Sequence, residues 1–150
     1  MTQIHKVAIL IPLMVGVSAV VCTILIHALA VGATINFVRY ERTTGRAGTG
    51  VWIDLAIVVL VISLAFVAHL IEIALWAALF IICGEFQEFG IAYYHSAVNY
   101  TTLGYGDLIL TRLLGPLEAA DGALLFGVST AMVFAVIQLL VQARFKDLRD

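Results

Sequence analysis

Charge is excluded from three long stretches of the chain. No Asp, Glu, Lys or Arg occurs at residues 7–38, 55–71 or 122–143. Each stretch reaches or approaches the roughly 20 apolar residues that a helix needs to cross a bilayer. The pattern predicts helices at about 7–38, 55–83 and 122–143. Residues 39–50 form a polar connection rich in Arg, Thr and Gly. Pro12 falls near the expected start of the first helix, where a missing N–H costs least. Asp54 is a candidate cap for the second, with Trp52 at headgroup level. Between the second and third long helices the pattern changes. Residues 91–101 look helical but are too short to span, and 108–121, with Gly115-Pro116, read as a polar turn region. A short helix and loop at membrane depth is tolerated only where protein buries it or where it lines a water-filled path.

Composition agrees. Of the 150 residues 63% are hydrophobic and 12% charged, too few charges to cover a soluble domain of this size. Lys6 ahead of an apolar run resembles the start of a signal peptide, but the run is longer than such a segment needs, so a retained span is expected. The basic residues form no stripe, which argues against nucleic acid as a partner. Cys22 and Cys83 lie in apolar segments and read as buried free thiols.

The charges also orient the chain. Arg39, Arg42 and Arg46 lie in the first loop and Arg144, Lys146 and Arg149 in the tail. Three spans put both regions on one side, and basic residues favour the cytoplasm. An integral protein of the cell membrane is expected, with its N-terminus outside and its C-terminus cytoplasmic. Glu85, Glu88, Asp107, Glu118 and Asp121 then face outward against Arg112 alone, an acidic mouth that would concentrate cations.

Residues Thr101-Thr102-Leu103-Gly104-Tyr105-Gly106-Asp107 resemble the signature of the potassium-channel pore family, usually written TTVGYGD, with Leu103 in place of valine. The resemblance is strong over residues 92–107 and loose over the flanking helices. It implies an all-α membrane fold: three transmembrane helices with a re-entrant pore helix and selectivity-filter loop, closed as a tetramer. Residues 1–51 would be an N-terminal helix and cytoplasmic loop. Residues 52–150 would be the pore domain, with outer helix 52–84, pore helix and filter 90–107 and inner helix 120–144.

By the same resemblance, K+ is held by carbonyls of Thr102, Leu103, Gly104 and Tyr105 and the Thr102 hydroxyl. Stripped of water, a cation needs replacement oxygens, and four strands with carbonyls turned to one axis supply them. Gly104 and Gly106 permit the left-handed backbone this requires. Leu103 and Tyr105 would pack behind the filter. Filter support is expected from Tyr94, His95, Val98, Thr101 and Asp107. Tyr94 and His95 stand where many relatives carry two tryptophans, and Val98 replaces a glutamate found in others. Asp107 is therefore expected to depend on His95, through which external pH would act on the filter. The short helix would aim its negative end at a central cavity.

On the last helix, Gly127 is a candidate hinge or close-packing residue. Ser129 and Thr130 could offer hydroxyls to a hydrated ion or bond the preceding turn, and Phe134 could face a lower constriction. His69 and Glu72, three apart on one helix face, are ionisable groups at membrane depth. They read as a buried His–Glu hydrogen bond between helices or a gating element, with His27 joining only in one register. No helix carries basic residues at every third position, which excludes the usual voltage sensor. Gating is left to the filter, the inner helix, lipid, protons or a separate regulatory protein.

The expected function is passive K+ conduction by a homotetramer in contact with membrane lipid, with K+ as the permeant ion and no organic cofactor. The alternatives are a non-selective cation channel, a non-conducting subunit of a mixed channel, and an intramembrane enzyme using His69 and Glu72. The last lacks a nucleophile or a full ligand set, so no enzyme is expected.

Overall fold

A computed structural model describes residues 2–106 and 114–147. The described residues form four helices: α1 (Thr2–Thr43), α2 (Val51–Ile82), α3 (Phe89–Tyr100) and α4 (Leu114–Asp147). Pro12–Thr43, Val51–Ile82 and Leu114–Phe145 are each long and apolar enough to cross a membrane. At 12 residues, α3 rises about 18 Å and cannot.

Several boundaries differ from those expected. The turn region at 108–121 is helical from Leu114 onward. Pro116 sits in the first turn of α4, where an N–H has no intrahelical acceptor to lose. Pro12 lies inside α1, because that helix begins earlier than the apolar run. Asp54 is not the cap of α2 but a residue of its first turn. Its Oδ1 accepts the Gly48 N–H at 2.8 Å, and its Oδ2 accepts from Arg144 at 2.7 Å. Cys22 and Cys83 are free but exposed, one on an outward-facing surface of α1 and the other in the turn after α2, rather than in a core. In lipid an outward face need not be polar.

The chain divides into two compact units. Unit 1 comprises Met1–Ile26 and His69–Phe126. Its core is built on Ala19, Ile73, Trp76, Phe80, Tyr100, Leu114 and Leu125, drawn from all four helices. Here α1 packs directly on α4: a Cβ on Gly16 would meet Leu117 Cδ1 at 2.7 Å. Unit 2 comprises His27–Ala68 and Gly127–Asp150. Its core is aliphatic, formed by Val38, Ile57, Val61, Val136 and Leu140.

Candidate functional site

The seat of α3 explains the position of everything that follows it. This helix buries Ala92, His95, Ser96, Val98 and Tyr100. Ala92 and Ser96 are small and four apart, so this face of α3 can approach α2 closely. Ser96 donates its hydroxyl to the Ile73 carbonyl at 2.9 Å and also contacts Glu118 of α4. One turn on, the Tyr100 hydroxyl donates to Glu72 Oε2. His69 Nδ1 lies 3.0 Å from both that carboxylate and the Tyr100 oxygen. The expected His69–Glu72 pair is thus a bond within one helix turn, completed by a residue of α3.

The end of α3 is also held from the other side. A Cβ on Gly122 of α4 would fall inside the Tyr100 carbonyl. Only glycine allows α4 this close to the α3 backbone. Gly122 carries a role the sequence reading missed, although a glycine inside a helix that serves no turn is a signal of close packing.

Two of the five acids assigned to an outer mouth belong elsewhere. Glu118 is fully buried against Ser96, and Asp121 is buried as well. Asp121 Oδ2 accepts from Trp76 Nε1 at 3.0 Å and from the Thr23 hydroxyl of α1 at 2.7 Å. The hydropathy pattern placed both residues in a polar turn; α4 instead begins before them and turns them inward. Glu88 is exposed and Glu85 half-buried. Asp107 and Arg112 lie outside the described residues.

His95 is buried, with Nε2 2.8 Å from the Asn99 amide nitrogen and its ring against Phe80 and Phe86. Tyr94 is exposed on this chain. Val98 is buried beneath the start of the loop, and the Thr101 hydroxyl donates to the Ala97 carbonyl at 2.6 Å.

The loop itself begins by folding back on α3. The N–H groups of Thr101, Thr102 and Leu103 donate to the carbonyls of Ala97, Asn99 and Val98. Along this same segment positive φ recurs at every second residue: Thr102 at 60°, Gly104 at 56° and Gly106 at 73°. The backbone therefore takes a left-handed φ at every second residue here, which a regular β-strand does not. The two glycines adopt this freely. Thr102 does so against the preference of a β-branched residue, and is the one non-glycine among the described residues with positive φ. Its conformation extends backward the two-residue spacing of the glycines. Residues 102–106 are all exposed on this chain, Leu103 and Tyr105 included. More than half of the Leu103 and Tyr105 side chains is thus left uncovered within one chain.

On α4, Gly127 is exposed and a Cβ there would meet nothing within 4 Å. Thr130 and Phe134 are exposed. Ser129 is buried, with Oγ 3.0 Å from His27 Nε2. Its hydroxyl thus reaches α1.

Residues 68–139 match the family model described as an ion channel. The matched stretch is a little under half of the chain. It contains the His69–Glu72–Tyr100 cluster, all of α3, the loop and most of α4, and leaves out α1. The match supports ion transport across a membrane and points away from catalysis. No curated protein and no solved structure matches the chain.

Proposed function

We propose that this chain is one subunit of a potassium-selective channel, with residues 1–51 added to a pore domain at 52–150. Four copies close around one axis, and α3 enters the membrane as a re-entrant pore helix. Residues 102–106 of each copy form the filter. The observation that supports this reading is the positive φ at Thr102, Gly104 and Gly106 in an exposed segment, a pattern suited to turning main-chain oxygens to one side. A single row of carbonyls cannot replace a hydration shell, but four rows facing one axis can. The exposure of Leu103 and Tyr105 fits this, since neighbouring subunits would cover them.

Within the reading, α2 and α4 have a defined task. The α2 carboxylate Glu72 holds the Tyr100 side chain, Gly122 admits its carbonyl, and Ser96 and Glu118 fix the turn before it. The strand starts from Thr101, so its origin is set by contacts with two helices. Conduction makes and breaks no chemical bond; ions move between sites by mutual repulsion.

Potassium uptake into proteoliposomes is the test, run with and without external barium and with reversal potentials in mixed potassium and sodium. Barium-sensitive uptake with a strong potassium preference is expected. Gly104→Ala should abolish it while the assembly persists, because alanine at φ +56° strains the strand wherever space exists. Uptake indifferent to potassium or sodium would assign a non-selective pore. A silent but tetrameric protein would assign a non-conducting subunit.

A further inference from the structure

Unit 2 contains a groove of about 500 Å³ between α1 and α4. Its walls are aliphatic, with Val31, Ile35 and Val38 on one side and Val128, Met132 and Val136 on the other. Arg39 and Arg42 also line it. A second cavity of about 220 Å³ shares Arg42 and Leu139 with the first and adds Gln138 and Gln142. An apolar slot thus passes into a polar pocket that presents a guanidinium and two amides.

The arginines are distinguished by their lack of a counter-ion. Arg46 pairs with Glu41 at 3.4 Å and Arg144 with Asp54 at 2.7 Å. Among the described residues no carboxylate pairs with Arg39 or Arg42, and both are exposed. Thr34 provides a second, independent observation. It lines the same slot, is 1% exposed, and its hydroxyl has no hydrogen-bond partner among the described residues. A buried hydroxyl left this way is unfavourable unless a ligand atom meets it.

We propose that this groove binds an anionic phospholipid, its acyl chain in the slot and its phosphate between Arg39 and Arg42. Basic pockets between transmembrane helices suit such headgroups. Guanidinium matches phosphate by paired N–H donors. Thr34 lies about 7 Å along the α1 axis from Arg39, a spacing that a glycerophospholipid spans between ester and phosphate. A small shift of the groove wall on lipid entry would let the buried Thr34 hydroxyl donate to the ester carbonyl. An apolar helix from a second copy would fill the slot but leave both arginines unmatched, so charge favours the lipid. The proposal stands whether or not the chain conducts potassium.

The test uses the full chain in phosphatidylcholine vesicles doped with phosphatidylglycerol that carries a photoreactive acyl chain. A parallel arm carries the same chain on phosphatidylcholine. Labelling by the anionic probe should concentrate on residues 31–38 and 128–136, exceed that by the neutral probe, and be displaced by unlabelled phosphatidylglycerol. Arg39→Gln with Arg42→Gln should weaken it by about fivefold per arginine. Arg39→Lys with Arg42→Lys should recover most of that loss. Ala135→Phe, which fills the slot, should block labelling with both arginines present. Equal labelling by the two probes, or label spread over all exposed apolar faces, overturns the proposal. So does a chain-to-chain disulfide at Met132→Cys, which would give the groove to a second copy.

Discussion

Unit 1 surrounds α3 with buried Glu72, Glu118 and Asp121, each bonded to a side chain from another helix, whereas the core of unit 2 is Val38, Ile57, Val61, Val136 and Leu140. In the described charge pairs of unit 2, Asp54–Arg144 and Glu41–Arg46, the arginine is exposed by a third or more, although Glu41 itself is buried. The difference reflects what lipid can and cannot enforce. Between apolar helices in a bilayer there is little hydrophobic drive, so aliphatic packing alone tolerates sliding. A buried carboxyl group tolerates little, because losing its partner leaves a buried polar group unsatisfied. The unit that carries residues 102–106 is the one built from such contacts.

This contrast can be broken most sharply at Gly122. Gly122→Ala drives a methyl group into the Tyr100 carbonyl and should cost about 3 kcal/mol, read as lost assembly in detergent. Gly127→Ala, whose Cβ meets nothing within 4 Å, should leave assembly unchanged. Next comes Tyr100→Phe, which removes the hydroxyl from Glu72 and His69. A loss of about 1–2 kcal/mol is expected, and Glu72→Gln should fall in the same range. Stability loss in both, with unaltered response to pH, would make the cluster structural. A shifted response with assembly intact would make it a gating element. In unit 2, Ile57→Val should cost about 1 kcal/mol and change selectivity not at all. The smallest effect belongs to Asp54→Asn. Because Arg144 is more than a third exposed, less than about 1 kcal/mol is expected, and added salt should shrink it further. A larger effect from Asp54→Asn than from Tyr100→Phe would reverse the comparison.

The contrast also explains what could be read from the sequence. Uncharged runs mark spans, because excluding charge is the one demand lipid makes of every residue in them. The alternate glycines at 104 and 106 mark a strand of unusual hand. Which face of a span turns inward is not marked, since lipid-facing and core-facing positions are equally apolar. The partners that settle it are remote in sequence: Thr23 and Asp121 are 98 residues apart, and Tyr100 and Glu72 are 28. Glu118 and Asp121 looked like surface acids for this reason, although acids three apart in an apolar helix signal the same thing as His69 and Glu72. Thr102 was hidden because side-chain type argued against the backbone it adopts.

The bond from Thr23 to Asp121 bears on how such a protein can be cut and recombined. The stretch with family likeness begins at residue 68, yet one of its acids is completed by a hydroxyl donated from far upstream. A chimaera that transplants only the matched stretch would keep the Trp76 bond to Asp121 but lose the Thr23 hydroxyl, and would bare a patch around Leu114 and Leu125. The transplantable cassette is the matched stretch together with the α1 segment that reaches Gly16, Ala19 and Thr23.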